Sequence, residues 1–81
     1  MEIRFSQSAR KHRIGRQRVL FVIATREAEE FLSQGINPHR LLWIGFDGRG
    51  LELEVIGVRT PTGVLIIHVM PLNFRLGRGR R

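Results

Sequence analysis

Three apolar runs separated by two turn clusters constrain the fold of this chain more than any other feature. The runs are RLLWIGF, LELEVIGVR and VLIIHVM, and the clusters DGRG and TPTG lie between them. Apolar and β-branched residues alternating with polar ones favour strands, and Gly, Pro and Asp clusters favour tight turns. The sequence therefore predicts an antiparallel three-stranded meander over residues 40–70.

Alternation of side chains along the predicted strands divides the sheet into two faces. We expect helices to cover the face that carries Leu42, Ile44, Phe46, Leu51, Leu53, Val55, Ile66, His68 and Met70. The other face carries Trp43, Glu52, Glu54, Ile56, Val58, Leu65, Ile67 and Val69. Because the centre of this second face is strongly apolar, the pattern predicts a surface that binds a partner.

The segment before the meander is helical in period from Glu2 to about Gly35. Ser6 or Ser8 is placed to cap a short basic helix, and Gly15 to end or kink it. Residues 17–34 continue the helical pattern as one helix or two. The predicted fold class is therefore α+β, with N-terminal helices packed on one face of an antiparallel sheet of three or four strands.

Length and composition bound the architecture. With 81 residues the chain predicts one domain, with residues 1–72 compact and 73–81 forming a flexible basic tail. There is no cysteine for disulfides or thiol chemistry, and the scattered histidines lack zinc-ligand spacing. No apolar run approaches the roughly 18 residues of a membrane span. We therefore expect a cytoplasmic protein without a cofactor or a membrane partner.

Net charge indicates the class of partner. Fourteen Lys and Arg residues oppose seven Asp and Glu residues, giving +7, and all cations except Lys11 are arginine. The guanidinium fork suits phosphate, so the excess favours a nucleic acid over mere solubility. The residues predicted to bind RNA are Arg10, Arg13, Arg16, Arg18, Arg75 and Arg78.

Two histidines are candidates for proton transfer. His12 lies in ARKHR, where cationic neighbours favour its neutral form, which can accept a proton. His68 is the only polar residue within VLIIHVM, and it is either a hydrogen-bonded structural residue or one that opens onto a groove. RNA cleavage needs only a base, an acid and cations, because the 2′-hydroxyl of the substrate is the nucleophile.

The order of these segments resembles a known family. FSQSARKHRIGRQRV, followed by a connecting segment and RLLWIGFDGRGLELEVIGVRTPTGVLIIHVM, is similar to the BrnT-like toxins of the RelE/ParE superfamily of bacterial toxin–antitoxin systems. The resemblance covers Ile3 to about Met70. Its marks are the Lys11-His12 pair, the apolar helix after it, and a meander with glycine in its first hairpin.

The resemblance implies two helices on one face of a sheet and a basic surface on the other. It also implies an endoribonuclease that cleaves mRNA, free or on the ribosome, and inhibits translation until an acidic antitoxin neutralises it. Lys11 and His12 match the basic pair of the family, and Arg49 falls in the hairpin where several members carry arginine, so the resemblance makes these three residues catalytic candidates. Relatives often end in a tyrosine-bearing helix, and this chain has no tyrosine. His68 and Arg75 are the nearest replacements for the missing acid.

The sequence leaves alternatives to the nuclease open. One is a non-catalytic module that binds RNA or blocks a protein, and another is a degenerate toxin that has lost its activity along with the usual C-terminus. In the toxin reading, the apolar sheet face binds the antitoxin, with contacts predicted at Trp43, Ile56 and Ile67.

Overall fold

A five-stranded mixed sheet with one α-helix on one face forms the α+β fold in the computed structural model, which describes residues 2–32 and 39–72. The elements in chain order are β1 (Glu2–Phe5), the 3₁₀ helix η1 (Ser8–Arg10), α1 (Arg16–Thr25), β2 (Glu29–Leu32), β3 (His39–Phe46), β4 (Glu52–Thr60) and β5 (Gly63–Pro71). The strand order is β1-β5-β4-β3-β2, with β1 parallel to β5 and the other pairs antiparallel. The predicted class is confirmed, whereas the predicted purely antiparallel sheet of three or four strands is wrong.

The meander was predicted closely. β3, β4 and β5 coincide with the three apolar runs to within about two residues, the usual uncertainty of an element boundary. Each strand is rich in β-branched or aromatic residues and stops at a turn cluster, so local sequence and long-range pairing agree.

The helical interpretation of the N-terminal segment is only partly right. α1 includes the Val-Leu-Phe-Val-Ile run, but it is ten residues long and ends at Thr25, where Arg26 becomes extended. Glu2–Phe5 and Glu29–Leu32 are strands at the two edges of the sheet. Backbone pairing with β5 and β3 outweighs the local helical pattern of these short segments. Gly35, where the helical pattern was expected to end, lies outside the described residues.

β1 reaches its place through an unusually close approach to β5. The Glu2 N–H donates to the Thr62 carbonyl at 3.1 Å, and Glu2 pairs with Gly63. A Cβ atom built at Gly63 would overlap the Glu2 backbone. The missing side chain at Gly63 therefore lets a fifth strand dock in parallel beside the meander.

The helix-covered face of the sheet contains the core. Its buried side chains are Leu41, Trp43, Leu53, Val55, Val64, Ile66 and Val69, and Val19 and Val22 of α1 are buried with them. The prediction that Trp43 lies on the uncovered face is therefore wrong. The predictions that Leu42, Ile44, Phe46, His68 and Met70 lie under a helix are also wrong, because these residues alternate with the core residues.

Two details of strand register explain why several residues lie on the opposite face of the sheet from the one predicted. Trp43 pairs with Val55, so the connection between β3 and β4 sets the opposite alternation from the expected one. A β-bulge lies where the partners of β5 shift between Ile56 and Gly57, leaving Ile67 as the extra residue. The bulge places both Ile66 and Val69 on the helix-covered face, although a regular strand would put them on opposite faces.

Candidate nucleic-acid interface

A basic cleft opens between β1, η1 and the beginning of α1. It has a volume of about 410 Å³ and is lined by Phe5, Ala9, Arg10, Arg13, Ile14 and Arg16. We call it the arginine cleft. The structure thus brings together three of the arginines predicted to bind RNA, and none of the lining residues is acidic.

Hydrogen bonds to β5 fix the wall of the arginine cleft that η1 forms. The Ser6 N–H donates to the Ile66 carbonyl at 2.9 Å, and the Ser8 hydroxyl donates to the Ile67 carbonyl at 2.8 Å. Ala9 is buried in the core, which seats η1 against the sheet. The predicted capping serines thus tie the basic segment to β5, and the Ser6 Oγ also accepts the Ala9 N–H at 3.3 Å.

Arg13 enters the cleft from an uncommon backbone conformation. Its φ is 59°, in the left-handed region that residues other than glycine rarely adopt. The Arg13 N–H donates to the Arg10 carbonyl at 3.0 Å, which closes the turn between η1 and α1. A left-handed residue with a side chain costs roughly 1–2 kcal/mol, so the fold carries a strained residue where two of the cleft arginines are positioned.

Arg16 is held against the floor of the cleft. Its guanidinium carbon lies 5.0 Å from the centre of the Phe5 ring, within cation–π range. One terminal nitrogen, Nη2, donates to the Ile3 carbonyl at 3.2 Å. Both partners belong to β1, so the edge strand determines where this guanidinium lies.

The first turn of α1 carries positive charge, which destabilises the N-terminal end of a helix. It contains Arg16 and Arg18, no acidic residue and no side-chain cap. The N-terminus of a helix has a partial positive charge, which disfavours cations and favours anions there. An anion in the arginine cleft would relieve that repulsion.

Arg18 has a structural role that the sequence did not indicate. Its Nε donates to the Asp47 carboxylate at 2.7 Å, and that carboxylate is fully buried. Asp47 also accepts the backbone N–H groups of Arg49 at 2.8 Å and Leu51 at 2.9 Å. Asp47 therefore joins the β3–β4 connection to the first turn of α1, and Arg18 is not among the residues lining the arginine cleft.

The ionised form of Asp47 is favoured despite its burial. Loss of solvent by itself raises the pKa of the carboxyl group, but hydrogen bonds from Leu51, Arg18 and Arg49, with the charge of Arg18, more than offset that effect. The net result is a pKa below the ordinary value of 3.8. Asp at the first position of DGRG was the available sequence signal, because Asp favours turns by accepting nearby backbone N–H groups.

The predicted catalytic residues do not form one cluster. Lys11 and His12 follow η1 directly, in the turn that also holds Arg13. His68 lies on the face of the sheet that α1 does not cover, with Nε2 3.4 Å from the Glu54 carboxylate. His68 is therefore on the face opposite α1, whereas His12 belongs to the turn between η1 and α1. Arg49 is exposed in the β3–β4 connection, and Arg75 and Arg78 lie outside the described residues.

The three predicted antitoxin contacts are also separated. Trp43 is only 5% exposed beneath α1, so its side chain offers little surface to another protein. Ile56 is half-buried on the face of the sheet that α1 does not cover, which we call the second face from here on. Ile67 is the half-buried residue of the β-bulge. The second face is also flanked by Phe46, which is 58% exposed.

Within the described residues no group of His, Cys, Asp and Glu side chains is arranged to hold a metal ion. No helix in the same part of the chain has the length and apolar character needed to cross a membrane. Comparisons of the whole chain found no matching protein-family model, curated protein or solved structure. Proposals about function therefore depend on the residues and their geometry.

Proposed function

We propose that this protein binds RNA through the arginine cleft and cleaves it as an endoribonuclease of the toxin type. One observation carries the proposal: Arg10, Arg13 and Arg16 line a single cleft that has no acidic residue in its lining. A surface that gathers cations without neutralising them suits a polyanion, because releasing the counterions of RNA favours binding.

The same cleft suits the phosphodiester in particular. Each guanidinium offers a planar set of donors that matches two phosphate oxygens. Neither Arg10 nor Arg13 makes a side-chain hydrogen bond or ion pair within the described part of the chain, so their donors are available. Arginines of this kind would also stabilise the negative charge on the non-bridging phosphoryl oxygens during transfer.

Cleavage would use His12, which lies in the same turn as Arg13. The 2′-hydroxyl attacks phosphorus, forming the 2′-O–P bond while the bond from phosphorus to the 5′-oxygen breaks. The hydroxyl proton passes to neutral His12, and the departing 5′-oxygen takes a proton from the Lys11 ammonium or from water. The products are a 2′,3′-cyclic phosphate and a free 5′-hydroxyl. No metal ion enters the sequence of steps.

A non-catalytic RNA-binding module is the second candidate. It is favoured by the position of His68, which lies on the face opposite η1 and α1, next to Glu54. The arginine cleft then has one neighbouring histidine and not the pair that would make an acid and a base. In either case an acidic antitoxin is proposed as the protein partner, with the second face of the sheet and Ile56 as its contact.

The experiment that tests the proposal measures binding and cleavage separately. RNA affinity is measured by fluorescence anisotropy and cleavage by product analysis, both with a chelator present. We expect the wild-type protein to bind and to leave cyclic phosphate ends, and a 2′-deoxy substitution at the cleaved position to abolish cleavage. Absence of RNA binding would overturn the proposal entirely.

Two histidine variants separate the two candidates. We expect His12→Ala to retain affinity within about twofold and to lose cleavage by at least about 100-fold, the contribution typical of general acid–base catalysis. His68→Ala, the matched control, should leave both properties nearly unchanged. Binding without cleavage in the wild-type protein would favour the non-catalytic module. Growth arrest on expression should follow cleavage and not binding.

A further inference from the structure

Arg16 is fixed in a way that distinguishes it from the other two arginines of the cleft. It contacts the Phe5 ring at 5.0 Å and donates from Nη2 to the Ile3 carbonyl at 3.2 Å. These contacts hold the guanidinium at two points before any ligand arrives. A side chain that is ordered in the free protein loses less conformational entropy when it binds.

The contacts also change which part of Arg16 is available. One of its five N–H donors is already committed to the β1 backbone, so Arg16 has fewer donors left for phosphate than Arg10 or Arg13. The side chain is nevertheless exposed and lines the cleft. Besides its remaining N–H donors, Arg16 has the guanidinium face that does not contact Phe5, and nucleobases stack on such planes and on aromatic rings.

We propose that Arg16 and Phe5 form a stacking platform for an unpaired base, so that the arginine cleft takes single-stranded RNA in preference to duplex. The inference rests on the proposed function and assigns the parts of the cleft. Arg10 and Arg13 hold phosphates, and Arg16 on Phe5 holds a base.

The shape of the cleft agrees with an unpaired strand. A base within a duplex is stacked on its neighbours and presents only its edges, so it has no face to offer the platform. The cleft encloses about 410 Å³, within the range of about 300–1,000 Å³ typical of small-molecule sites. Such a space accommodates part of a flexible strand.

The test compares two conservative substitutions, Arg16→Lys and Arg13→Lys. Both keep the positive charge and remove the guanidinium plane. Affinities are measured for a short single-stranded RNA, for a hairpin containing the same sequence, and for single strands carrying one abasic nucleotide at successive positions. Fluorescence of Trp43, the sole tryptophan, confirms that each variant is folded.

We expect wild-type protein to bind the single strand at least about tenfold more tightly than the hairpin, as the loss of one stacked base implies. Arg16→Lys should lose about tenfold for the single strand, and Arg13→Lys about twofold. An abasic nucleotide at one position should weaken binding by the wild type and by Arg13→Lys about tenfold, but should leave Arg16→Lys unaffected. Phe5→Leu should reproduce much of the Arg16→Lys loss.

Equal affinity for single strand and hairpin would overturn the platform, and so would equal losses for the two lysine variants. A flat profile across all abasic positions would also overturn it, because Arg16 would then be a third phosphate ligand. These outcomes leave RNA binding itself intact. Failure of the wild type to bind any of the RNAs would instead overturn the proposed function.

Discussion

Arg16 and Arg18 lie in the same turn of the same helix, and the structure uses them in opposite ways. The Arg18 guanidinium contacts a buried carboxylate, Asp47, which also accepts two backbone N–H groups. Among residues 2–32 and 39–72, the Arg16 guanidinium has a phenylalanine ring and one carbonyl oxygen as partners, and it shares its cleft with Arg10 and Arg13. Within the part of the chain that the structure describes, Arg18 has a carboxylate partner, and no ion pair is seen for Arg10, Arg13 or Arg16.

Structural cations differ from cations that are available to a ligand in having an acidic partner within the protein. A buried ion pair whose partners are satisfied contributes to one fold and has little attraction left for an external phosphate. Uncompensated cations beside the positive end of a helix destabilise the free protein, and an anion bound there would remove the penalty. The distribution of acidic partners therefore locates the candidate site more sharply than the net charge of +7 does.

The largest expected effect comes from removing the partner that makes Arg18 structural. Asp47→Ala leaves two backbone N–H groups and a guanidinium without their acceptor, so we expect the free energy of unfolding to fall by about 3 kcal/mol. Urea denaturation followed by Trp43 fluorescence measures the change. RNA affinity of the folded fraction should stay within about twofold of wild type. A much larger loss of RNA affinity in the folded fraction would contradict the separation of the two regions.

Salt dependence measures how many cleft arginines meet phosphates. Replacing Arg10 and Arg13 together with glutamine should weaken RNA binding by about 100-fold at low salt and reduce the slope of log Kd against log salt by about 2, or about 1 per arginine. Arg18→Gln, in the first turn of α1 but outside the cleft lining, is the matched control and should leave the slope unchanged. A reduced slope for Arg18→Gln would restore the predicted RNA-binding role of Arg18.

Acid should destabilise the protein through Asp47. The pKa of this carboxyl group is lower in the folded protein than its ordinary value of 3.8, which applies in the unfolded chain. Its contribution to stability is therefore fully present above that value and is lost as the pH falls through the folded pKa. Urea midpoints measured from pH 6 to pH 2 should decline more steeply for wild type than for Asp47→Asn. Parallel profiles would show that other groups govern acid unfolding.

The smallest expected change in stability is at Arg13, whose backbone strain disfavours the fold while its side chain is proposed to bind RNA. Arg13→Gly relieves the left-handed strain but makes the unfolded chain more flexible, so we expect the free energy of unfolding to stay within about 1 kcal/mol of wild type. RNA affinity should nevertheless fall about tenfold, as expected when one charged phosphate contact is lost. A large loss of stability would mean that the Arg13 side chain supports the fold.

Local sequence predicted the meander because β3, β4 and β5 each satisfy local and long-range preferences together. Local sequence did not predict β1 and β2, because EIRF and EEFL are short and contain residues that also favour helices. Their strand state comes from pairing with β5 and β3, which lie far away in sequence. The faces of the sheet were exchanged for a related reason: one connection and one β-bulge set the alternation, and neither has a reliable local signature.

The sequence predicted only part of the candidate site. The excess of arginine and the basic segment before α1 pointed to RNA. The sequence did not tell which arginines were already occupied, because Asp47 and Arg18 are 29 positions apart. Nor did it indicate that Phe5 would form the floor of the cleft, since that position depends on β1 pairing in parallel with β5.

The placement of β1 also determines when the protein can first act during its own synthesis. Phe5 and the segment after it leave the ribosome early, but their hydrogen-bonding partners are in β5, and the Thr62 hydroxyl donates to a Glu2 carboxylate 60 residues earlier. Contacts of such long range form late, after the loop they close has been made. The nascent chain therefore lacks an assembled arginine cleft until β5 has emerged from the ribosome, so the proposed binding of RNA can begin only after translation has passed the end of β5.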